Sequence, residues 1–206
     1  MKKGRFIVFE GIDGSGKSTQ IRLLAEKLEK DGRRVFRTAE PTQMTTGGLI
    51  RDALGGNYKR TAEELAAMFL ADRISHNVNP NDGIIKCLND GIDVISDRYY
   101  YSSFAYQGME SDLDWVIRMN RDCPSITKPD ICFFIDVPAN VCYDRVDGSR
   151  VSKEIFERDR ETLDRIRKKY LDVFARLKDT DNIQTVVNEG KPEDVAELIY
   201  RKVKQI

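Results

Sequence analysis

A glycine-rich stretch near the start of the chain has the residue types and spacing that bind nucleotide phosphates. The run from Gly11 to Ser18 fits the pattern G-x-x-x-x-G-K-[ST], which is known as the P-loop. Its glycines let the backbone curl so that successive amides point at phosphate oxygens. Lys17 is expected to contact the β- and γ-phosphates of a nucleoside triphosphate, and the Ser18 hydroxyl to bind Mg²⁺. The residues expected to contact the nucleoside triphosphate are Gly11, Ile12, Asp13, Gly14, Ser15, Gly16, Lys17, Ser18 and Thr19.

The P-loop alone does not distinguish a kinase from a GTPase or a motor ATPase. The guanine-recognition element Asn-Lys-x-Asp does not occur in the sequence, which argues against a GTPase. At 206 residues the chain is also short for most motor ATPases, which carry accessory subdomains. These exclusions favour a small phosphotransferase, so other residues must hold the phosphoryl acceptor.

Charged residues at the ends of two predicted strands are candidates for the acceptor side. Asp97 ends a strand that we expect beside the P-loop, where its carboxylate is well placed to hold the hydration shell of Mg²⁺. Arg98 follows it and could bridge the donor and acceptor phosphates. Asp13 adds a carboxylate inside the P-loop, and Glu40 follows the second strand. A charge pair that closes a strand is also commonly a solvated cap, so both interpretations stay open here.

Short apolar runs alternate with longer amphipathic stretches along the chain. The apolar runs predict strands at residues 6–9, 35–38, 93–96, 131–135 and 183–187. Apolar spacings of three and four predict helices at about 18–30, 49–54, 62–78, 155–177 and 192–203. Strands separated by helices require crossover connections, and therefore a parallel sheet covered on both faces. We predict a three-layer α/β fold in a single domain over residues 1–206.

The overall charge and the cysteine content exclude several classes of partner. The 34 basic and 34 acidic residues cancel, so no excess positive charge indicates binding to nucleic acid or to an anionic membrane. No apolar run approaches the length of about 18 residues that spans a bilayer. The four cysteines form no CxxC pair, and the single histidine, His76, is too few for a multi-histidine metal site. We therefore expect a reducing, cytoplasmic compartment and no nucleic-acid or membrane partner.

Several motifs taken together resemble the thymidylate (dTMP) kinase family of P-loop nucleoside monophosphate kinases. The matching stretches lie at residues 9–19, 38–41, 48–51, 68–73, 97–99, 102–108 and 128–130. The P-loop is generic, whereas Asp-Arg-Tyr at 97–99 combined with Ala-Tyr-Gln-Gly at 105–108 is specific. The resemblance covers most of the chain, from the first strand to Tyr170. It implies a P-loop NTPase fold with a five-stranded parallel sheet, a closing lid at about 144–153, and a homodimer.

The resemblance also implies roles for residues around the acceptor base and sugar. Phe69 would stack on the thymine ring, Arg73 would hydrogen-bond its carbonyl edge, and Ser103 would contact another edge. Tyr106 would lie against the deoxyribose, with Gln107 nearby. Each role has a structural alternative, since Phe69 and Tyr106 could be core aromatics and Arg73 a helix-surface charge.

A second implied set of residues surrounds the phosphates. Arg51 and Arg98 would grip the monophosphate, while Asp13 and Glu10 would lie close to the magnesium and the phosphates. The implied catalytic residues are Lys17, Arg98, Asp13 and a lid arginine. The implied metal contacts are Ser18 and Asp97. The implied substrate contacts are Glu40, Arg51, Phe69, Arg73, Arg98, Ser103, Tyr106 and Gln107.

The chain departs from the family pattern at two positions. Ala39 stands where the family commonly has an arginine before Glu-Pro, so one phosphate-contacting guanidinium is missing or is replaced by Arg37, Arg51 or another group. Gly14 stands where one branch of the family has a P-loop arginine. In such members the lid supplies the cation, and the candidates here are Arg145 and Arg150. A basic loop is also commonly just solvated.

These observations lead to one expected reaction and two alternatives. We expect transfer of the γ-phosphoryl group of ATP to dTMP, which gives dTDP and ADP, with Mg²⁺ as the cofactor. A deoxynucleoside kinase shares the fold but has no need of arginines that grip an acceptor phosphate. A non-catalytic nucleotide-binding protein is the other alternative, and the lid and acceptor motifs argue against it.

Overall fold

A five-stranded parallel sheet forms the centre of the protein. The computed structural model describes residues 3–147, 159–188 and 190–206. The strands are β1 (Phe6–Glu10), β2 (Val35–Ala39), β3 (Asp93–Asp97), β4 (Ile131–Asp136) and β5 (Ile183–Val187). They lie in the order β2-β3-β1-β4-β5, and each neighbouring pair is parallel. The predicted strands and the predicted fold class are therefore confirmed.

Burial explains why the central strands are continuous apolar runs in the sequence. Every residue of β1 is buried, as are the first five residues of β4. A parallel strand with helices on both faces of its sheet has no solvent side, so its residues do not alternate between polar and apolar. The edge strands β2 and β5 keep several residues partly or fully exposed.

Helices connect the strands and cover the sheet. Their bounds are α1 (Lys17–Lys30), α2 (Thr45–Leu54), α3 (Ala62–Val78), α4 (Ile84–Asn89), α5 (Tyr100–Tyr106), α6 (Leu113–Arg121), α7 (Ala139–Asp147), α8 (Arg160–Leu177) and α9 (Pro192–Val203). Residues 107–109 add one turn of 3₁₀ helix after α5. Within the residues that the structure describes, none of the helices combines the length and apolar character needed to cross a membrane.

The helices predicted from periodicity are confirmed, and four shorter ones, α4 to α7, were not predicted. Those four have between 6 and 9 residues, which leaves few turns over which a period of 3.6 can appear. All seven residues of α5 are buried, so that helix has no polar face to mark it. The predicted start of the long helix at Ile155 lies outside the described residues, and α8 begins at Arg160.

Helix α2 begins four residues earlier than predicted because a distant carboxylate holds its first turn. Asp72 in α3 is fully buried and accepts hydrogen bonds from the Thr42 amide at 2.8 Å and the Thr42 hydroxyl at 2.6 Å. The Thr46 hydroxyl, in the first turn of α2, donates to the same carboxylate at 2.6 Å. This tertiary contact overrides the low helix propensity of Gly47 and Gly48.

The register of the sheet brings the two candidate motifs together. Phe9 of β1 is paired with Asp97 of β3, so the P-loop and Arg98 leave the sheet at the same edge. The backbone amide of Arg98 donates to the Phe9 carbonyl at 2.8 Å. In open parallel sheets, ligands bind in the crevice outside the carboxyl ends of the strands. The sheet topology therefore creates a site between β1 and β3.

At the opposite end of the sheet, a buried carboxylate ties three segments together. Asp93, the first residue of β3, is fully buried and pairs with Arg5 at 2.5 Å and with Arg33 at 2.7 Å. The Arg5 amide also donates to it at 2.9 Å. Burial alone would raise the pKa of Asp93, but the hydrogen bonds from Arg33 and Arg5 outweigh that effect and lower the pKa to about 2. The charged carboxylate therefore stabilises the starts of β1, β2 and β3.

We expect Asp93→Asn to lower the free energy of unfolding at neutral pH by about 2–3 kcal/mol, as a lowering of the pKa from about 3.9 implies. Because the folded-state pKa lies below the unfolded value, this contribution is present above about pH 4 and is lost as the pH falls towards 2. Urea unfolding of both proteins at several pH values measures the difference. Asp90→Asn, which removes an exposed pair with Lys86, is the control and should cost less than about 1 kcal/mol. A difference for Asp93→Asn that stays constant down to pH 2 would contradict this account.

Candidate active site

One cavity of about 530 Å³ lies at the edge of the sheet where β1 and β3 end. The P-loop forms one wall, called here the donor wall. Residues from the ends of β2 and β3 and from α2, α3 and α5 form the second wall, called here the acceptor wall. The lining residues that the sequence singled out are Asp13, Gly14, Gly16, Lys17, Ser18, Thr19, Ala39, Glu40, Arg51, Phe69, Asp97, Arg98, Tyr106, Gln107 and Arg145. The residues predicted to bind the nucleoside triphosphate and those predicted to bind the acceptor thus line the same cavity.

The backbone of the P-loop depends on glycine at defined positions. Gly14 has a φ of 81° and Gly16, the residue before α1, has a φ of 97°, and both values disfavour any side chain. A Cβ atom on Gly14 would also lie 2.5 Å from the Cys142 carbonyl oxygen. Helix α7 thus packs directly against Gly14 and leaves no room for a side chain at this position.

Lys17 and Arg145 supply positive charge along the P-loop wall. The Lys17 ammonium donates to the carbonyl oxygens of Gly11 at 3.0 Å and Ile12 at 3.3 Å, and lies 3.7 Å from the Asp13 carboxylate. Arg145, near the end of α7, donates to the Gly14 carbonyl at 3.0 Å. Of the two lid candidates, Arg145 therefore lines the cavity. Arg150 lies outside the described residues, as do residues 148–153 of the predicted lid.

Two residues predicted to bind metal, Ser18 and Asp97, line the same cavity. Asp97 Oδ1 is buried and makes no hydrogen bond with any described residue. A buried carboxylate oxygen without a donor is costly unless a ligand or an ordered water satisfies it. A hydroxyl and a carboxylate are the oxygen donors that Mg²⁺ prefers, so the residues present fit a hydrated magnesium ion.

Arg98 has more partners than any other cation at the cavity wall. Its guanidinium pairs with Asp13 at 3.0 Å, with a side-chain exposure of 16%. It also donates to the hydroxyls of Ser102 and Tyr170, each at 3.1 Å. Its Cζ lies 5.2 Å from the centre of the Tyr106 ring. The interpretation of Arg98 as a solvated strand cap is therefore wrong, because the side chain is largely buried and faces the cavity.

Glu10 does not occupy the position that the resemblance implied. Its side chain is fully buried and is not among the residues that line the cavity. Its carboxylate accepts hydrogen bonds from the amides of Tyr99 at 2.8 Å and Ser102 at 3.2 Å, and from the hydroxyls of Ser102 at 2.7 Å and Tyr170 at 2.8 Å. Burial raises the pKa of Glu10, and Arg98 and these hydrogen bonds oppose that rise. With four donors on it, Glu10 has no oxygen left to face magnesium or phosphates.

On the acceptor side, an aromatic ring, an amide and a cation face the cavity. Phe69 is half-buried and lines the hollow together with Tyr106 and Gln107, so neither aromatic is purely a core residue. Arg51 lines it from α2 and donates to the carbonyl oxygens of Pro41 and Thr42. These hydrogen bonds fix the direction of the Arg51 guanidinium.

Arg73 and Ser103 lie behind the wall instead of on it. Arg73 is fully buried, and its guanidinium pairs with Glu40, with Nε at 2.8 Å and Nη2 at 2.7 Å from Oε2. Its remaining donors go to Ser103 Oγ at 3.3 Å and to Asn120 Oδ1. Because it is buried, Arg73 is not a helix-surface charge. Its pairing with Glu40 offsets the cost of burying a guanidinium. Its direct contact with the base stays a prediction, and in this structure it reaches the cavity only through Glu40.

His76, for which the sequence predicted no role, completes this buried network. His76 Nδ1 lies 3.1 Å from Glu40 Oε1, and Nε2 lies 2.7 Å from the Thr38 hydroxyl. A carboxylate only accepts, so Nδ1 carries the hydrogen that is shared with Glu40. The spacing of three between Arg73 and His76 places them on one helix face, and that spacing was the available signal in the sequence.

Ala39 also lines the cavity, at the place where the family pattern has an arginine. Arg37 is exposed and is not among the lining residues, so it does not replace the missing guanidinium. Among the described residues, the cations on the acceptor wall are Arg51 and Arg98.

Comparison with known proteins gives one consistent family. A family model described as "Thymidylate kinase" matches residues 9–199. A protein of Thermococcus kodakarensis named "Probable thymidylate kinase" is 40% identical over 200 residues, which cover 89% of this chain and 94% of that protein. A protein of Methanococcus aeolicus with the same name is 38% identical over 203 residues, which cover 97% of this chain and 95% of that protein.

The Glu40 network leads to a stability prediction. Glu40→Gln leaves the buried Arg73 charge without its counterion, and we expect the free energy of unfolding to fall by about 3–5 kcal/mol. Glu26→Gln, which breaks an exposed pair with Arg22, should cost less than about 1 kcal/mol. Urea denaturation of the three proteins gives both values. Equal losses of unfolding free energy in the two variants would show that the buried pair stabilises the fold no more than an exposed pair does.

Proposed function

The chain belongs to the thymidylate kinase family, and from that premise we propose that its cavity transfers the γ-phosphoryl group of ATP to dTMP, giving dTDP and ADP. The observation that carries the proposal is the shared hollow, in which a P-loop faces arginines from a second wall. Phosphoryl transfer asks the protein mainly to align two phosphates and to neutralise their charge. A hollow that opens to both sets of residues meets that requirement.

The donor nucleotide lies along the P-loop in this proposal. Backbone amides of the loop and of the first turn of α1 would bind its phosphates, and the Lys17 ammonium would bind the β- and γ-phosphates in place of its present carbonyl partners. Arg145 lies beside Gly14, close enough to the loop to neutralise charge on the same phosphates. Whether Arg150 adds a second cation is a separate prediction, since it lies outside the described residues.

The acceptor nucleotide lies against the second wall. Arg51 and Arg98 grip its phosphate, which carries a charge near −2 at neutral pH. Phe69 stacks on the base, Gln107 contacts its polar edge, and Tyr106 lies beside the sugar. Arg73 and Ser103 act from behind, by holding Glu40 in place or by contacting the base after a local rearrangement.

In the chemical step, an oxygen of the acceptor phosphate attacks the γ-phosphorus. A new P–O bond forms to that oxygen, and the bond from the γ-phosphorus to the β–γ bridging oxygen breaks and releases ADP. The attacking oxygen is largely deprotonated at neutral pH because the second pKa of a phosphate monoester is about 6, so no general base is needed. Arg98 lies between the P-loop carboxylate Asp13 and the acceptor wall, where it stabilises the charge that develops on the transferred group.

We propose Mg²⁺ as the cofactor, held through Ser18 and Asp97. Bound magnesium neutralises charge on the triphosphate oxygens. This chain would supply two oxygen ligands, the Ser18 hydroxyl and the Asp97 carboxylate, whose buried Oδ1 has no hydrogen-bond donor among the described residues.

We also propose a homodimer that works in the cytoplasm. In α3, Ala67, Ala71 and Val78 are exposed, and Leu70 and Ile74 are only partly buried, which gives an apolar stripe at helical spacing. A second copy of the chain would cover this stripe and keep it from water.

The state of the cysteines supports the proposed cytoplasmic location. All four cysteines are free thiols, as expected in a reducing compartment.

The alternatives from the sequence are less well supported than dTMP as the acceptor. A deoxynucleoside kinase has no acceptor phosphate to hold, yet Arg51 and Arg98 both face the acceptor side of the cavity. A non-catalytic nucleotide-binding protein would have no need for a second wall of this chemistry.

A panel of acceptors tests the reaction directly. Purified protein with ATP and Mg²⁺ should convert dTMP to dTDP, and convert thymidine poorly because it has no phosphate for the arginines to hold. dUMP and UMP in the same assay report the roles of the base methyl group and the 2′-hydroxyl. Good turnover of thymidine without turnover of dTMP would overturn the proposal in favour of a deoxynucleoside kinase.

Arg51→Ala tests the acceptor wall. A charge-assisted hydrogen bond contributes about 1.5–3 kcal/mol, so the KM for dTMP should rise by about 10- to 100-fold. The KM for ATP should change by less than about twofold, since Arg51 does not contact the P-loop wall. Arg22→Ala, on the exposed face of α1, is the matched control and should change neither constant. A rise in both KM values would show that Arg51 acts on the fold and not on the acceptor.

A further inference from the structure

We propose that Tyr170 and Glu10 are positioning residues that hold the Arg98 guanidinium at the cavity wall. The proposal deepens the proposed function, because it rests on Arg98 acting on the transferred phosphoryl group. Neither residue lines the cavity, so each acts through Arg98. In the sequence they are 160 residues apart, and only the fold brings them together.

The backbone of Arg98 fixes where its side chain begins. Its φ of 70° makes it the one described non-glycine residue with a positive φ, a conformation that is costly for a residue with a side chain. The Arg98 amide donates to Phe9 at 2.8 Å, and its carbonyl accepts from the Ser96 hydroxyl at 2.7 Å. These bonds hold the strained conformation, which turns the side chain out of the sheet and towards the P-loop.

Two hydroxyl groups hold one end of the guanidinium. Arg98 Nη1 donates to Ser102 Oγ and to Tyr170 Oη, each at 3.1 Å. Both hydroxyls also contact Glu10 Oε2, at 2.7 Å from Ser102 and 2.8 Å from Tyr170. An ionised carboxylate can only accept hydrogen bonds. The two hydroxyls also lie 2.8 Å from each other, so their two hydrogens are shared between that contact and Glu10, and each oxygen keeps a lone pair that accepts from Arg98.

Glu10 is itself fixed by the backbone that follows Arg98. Its other oxygen, Oε1, accepts from the Tyr99 amide at 2.8 Å and the Ser102 amide at 3.2 Å. The carboxylate is thus held a single hydroxyl away from the guanidinium, in a fully buried place where electrostatic interactions are strong. Burial raises the pKa of Glu10, and Arg98 is the largest of the effects that oppose this rise, so the two charges stabilise each other.

The position of the Tyr170 hydroxyl is set by the core. The Tyr170 ring is fully buried, with ring centroids 5.3 Å from Phe134 and 5.6 Å from Phe174. Its edge also packs against Tyr106 at 6.1 Å, the ring over which Arg98 lies. Removal of the hydroxyl alone would leave this packing in place and release one of the two oxygen contacts of Nη1.

Tyr101 provides a matched control in the same part of the core. It is also almost fully buried, and its hydroxyl donates to Asp181 at 2.7 Å. Its ring lies 5.6 Å from Phe174, the residue that also packs against Tyr170. Tyr101→Phe therefore removes a buried hydroxyl hydrogen bond to a carboxylate, as Tyr170→Phe does, without a contact to Arg98.

The first measurement compares these two variants by steady-state kinetics with ATP and dTMP. We expect Tyr170→Phe to lower kcat by about 10- to 100-fold, the loss that a small misplacement of a catalytic group produces, with the KM for ATP within about twofold of wild type. Tyr101→Phe should keep the wild-type kcat, although its melting temperature should fall by about as much as that of Tyr170→Phe. An unchanged kcat in Tyr170→Phe, or equal losses in both variants, would overturn the proposal.

The second measurement is a double-mutant cycle with Arg98→Ala, which separates positioning from a general effect on the fold. If Tyr170 acts through Arg98, Tyr170→Phe should lower kcat no further once Arg98 is already alanine. The same loss in both backgrounds would show that Tyr170 acts elsewhere and would overturn the proposal. A wild-type enzyme that does not phosphorylate dTMP would instead contradict the proposed function, and the cycle is then run with the acceptor that it does phosphorylate.

Discussion

The ion pair between Arg98 and Asp13 joins the ends of two neighbouring parallel strands. Asp13 belongs to the P-loop after β1, and Arg98 follows β3, and their side chains lie 3.0 Å apart. The sheet register makes this possible, since Phe9 is paired with Asp97. Without the pair, the P-loop and the acceptor wall would be two adjacent surfaces. With it, they form one cavity, and a cation lies at the border where the proposed function places the two phosphates.

Two arginines near this cavity, Arg98 and Arg73, are balanced by carboxylates of the surrounding fold. Arg98 has Asp13 directly and Glu10 through two hydroxyls, and Arg73 has Glu40. A buried cation without such a partner is costly, so the carboxylates also fix where the guanidinium groups point. The acceptor wall is therefore preorganised, and less binding energy is spent on ordering its side chains.

The sequence predicted the fold and the position of the P-loop between β1 and α1, because both follow local rules. A glycine-rich loop between a buried strand and an amphipathic helix has one common structural solution, and the alternation of strands and helices fixed the parallel sheet. The early start of α2 could not be predicted, because it depends on Asp72 from α3. Helix α5 was missed for a related reason, since burial of all its residues removes the periodic pattern.

The acceptor wall was predicted less completely, because residue type does not reveal which partner a charge will take. Arg73 was expected to contact the base, which stays a prediction, and the structure pairs its guanidinium with Glu40 behind the cavity wall. Glu10 was expected near the phosphates, and it is saturated by hydrogen-bond donors from Tyr99, Ser102 and Tyr170. His76 carried no local signal beyond its spacing from Arg73. In each case the deciding contacts come from residues far away in the sequence.

A bisubstrate analogue, in which adenosine and thymidine are joined 5′ to 5′ by a chain of phosphates, tests most directly whether the two walls form one site. Steady-state inhibition should be competitive against ATP and also competitive against dTMP, because the analogue occupies both walls at once. Its Kd should also lie well below that of either nucleotide alone, since the second half binds at a high effective concentration. Competition against only one of the two substrates, with an affinity no better than that of the matching nucleotide, would contradict the account.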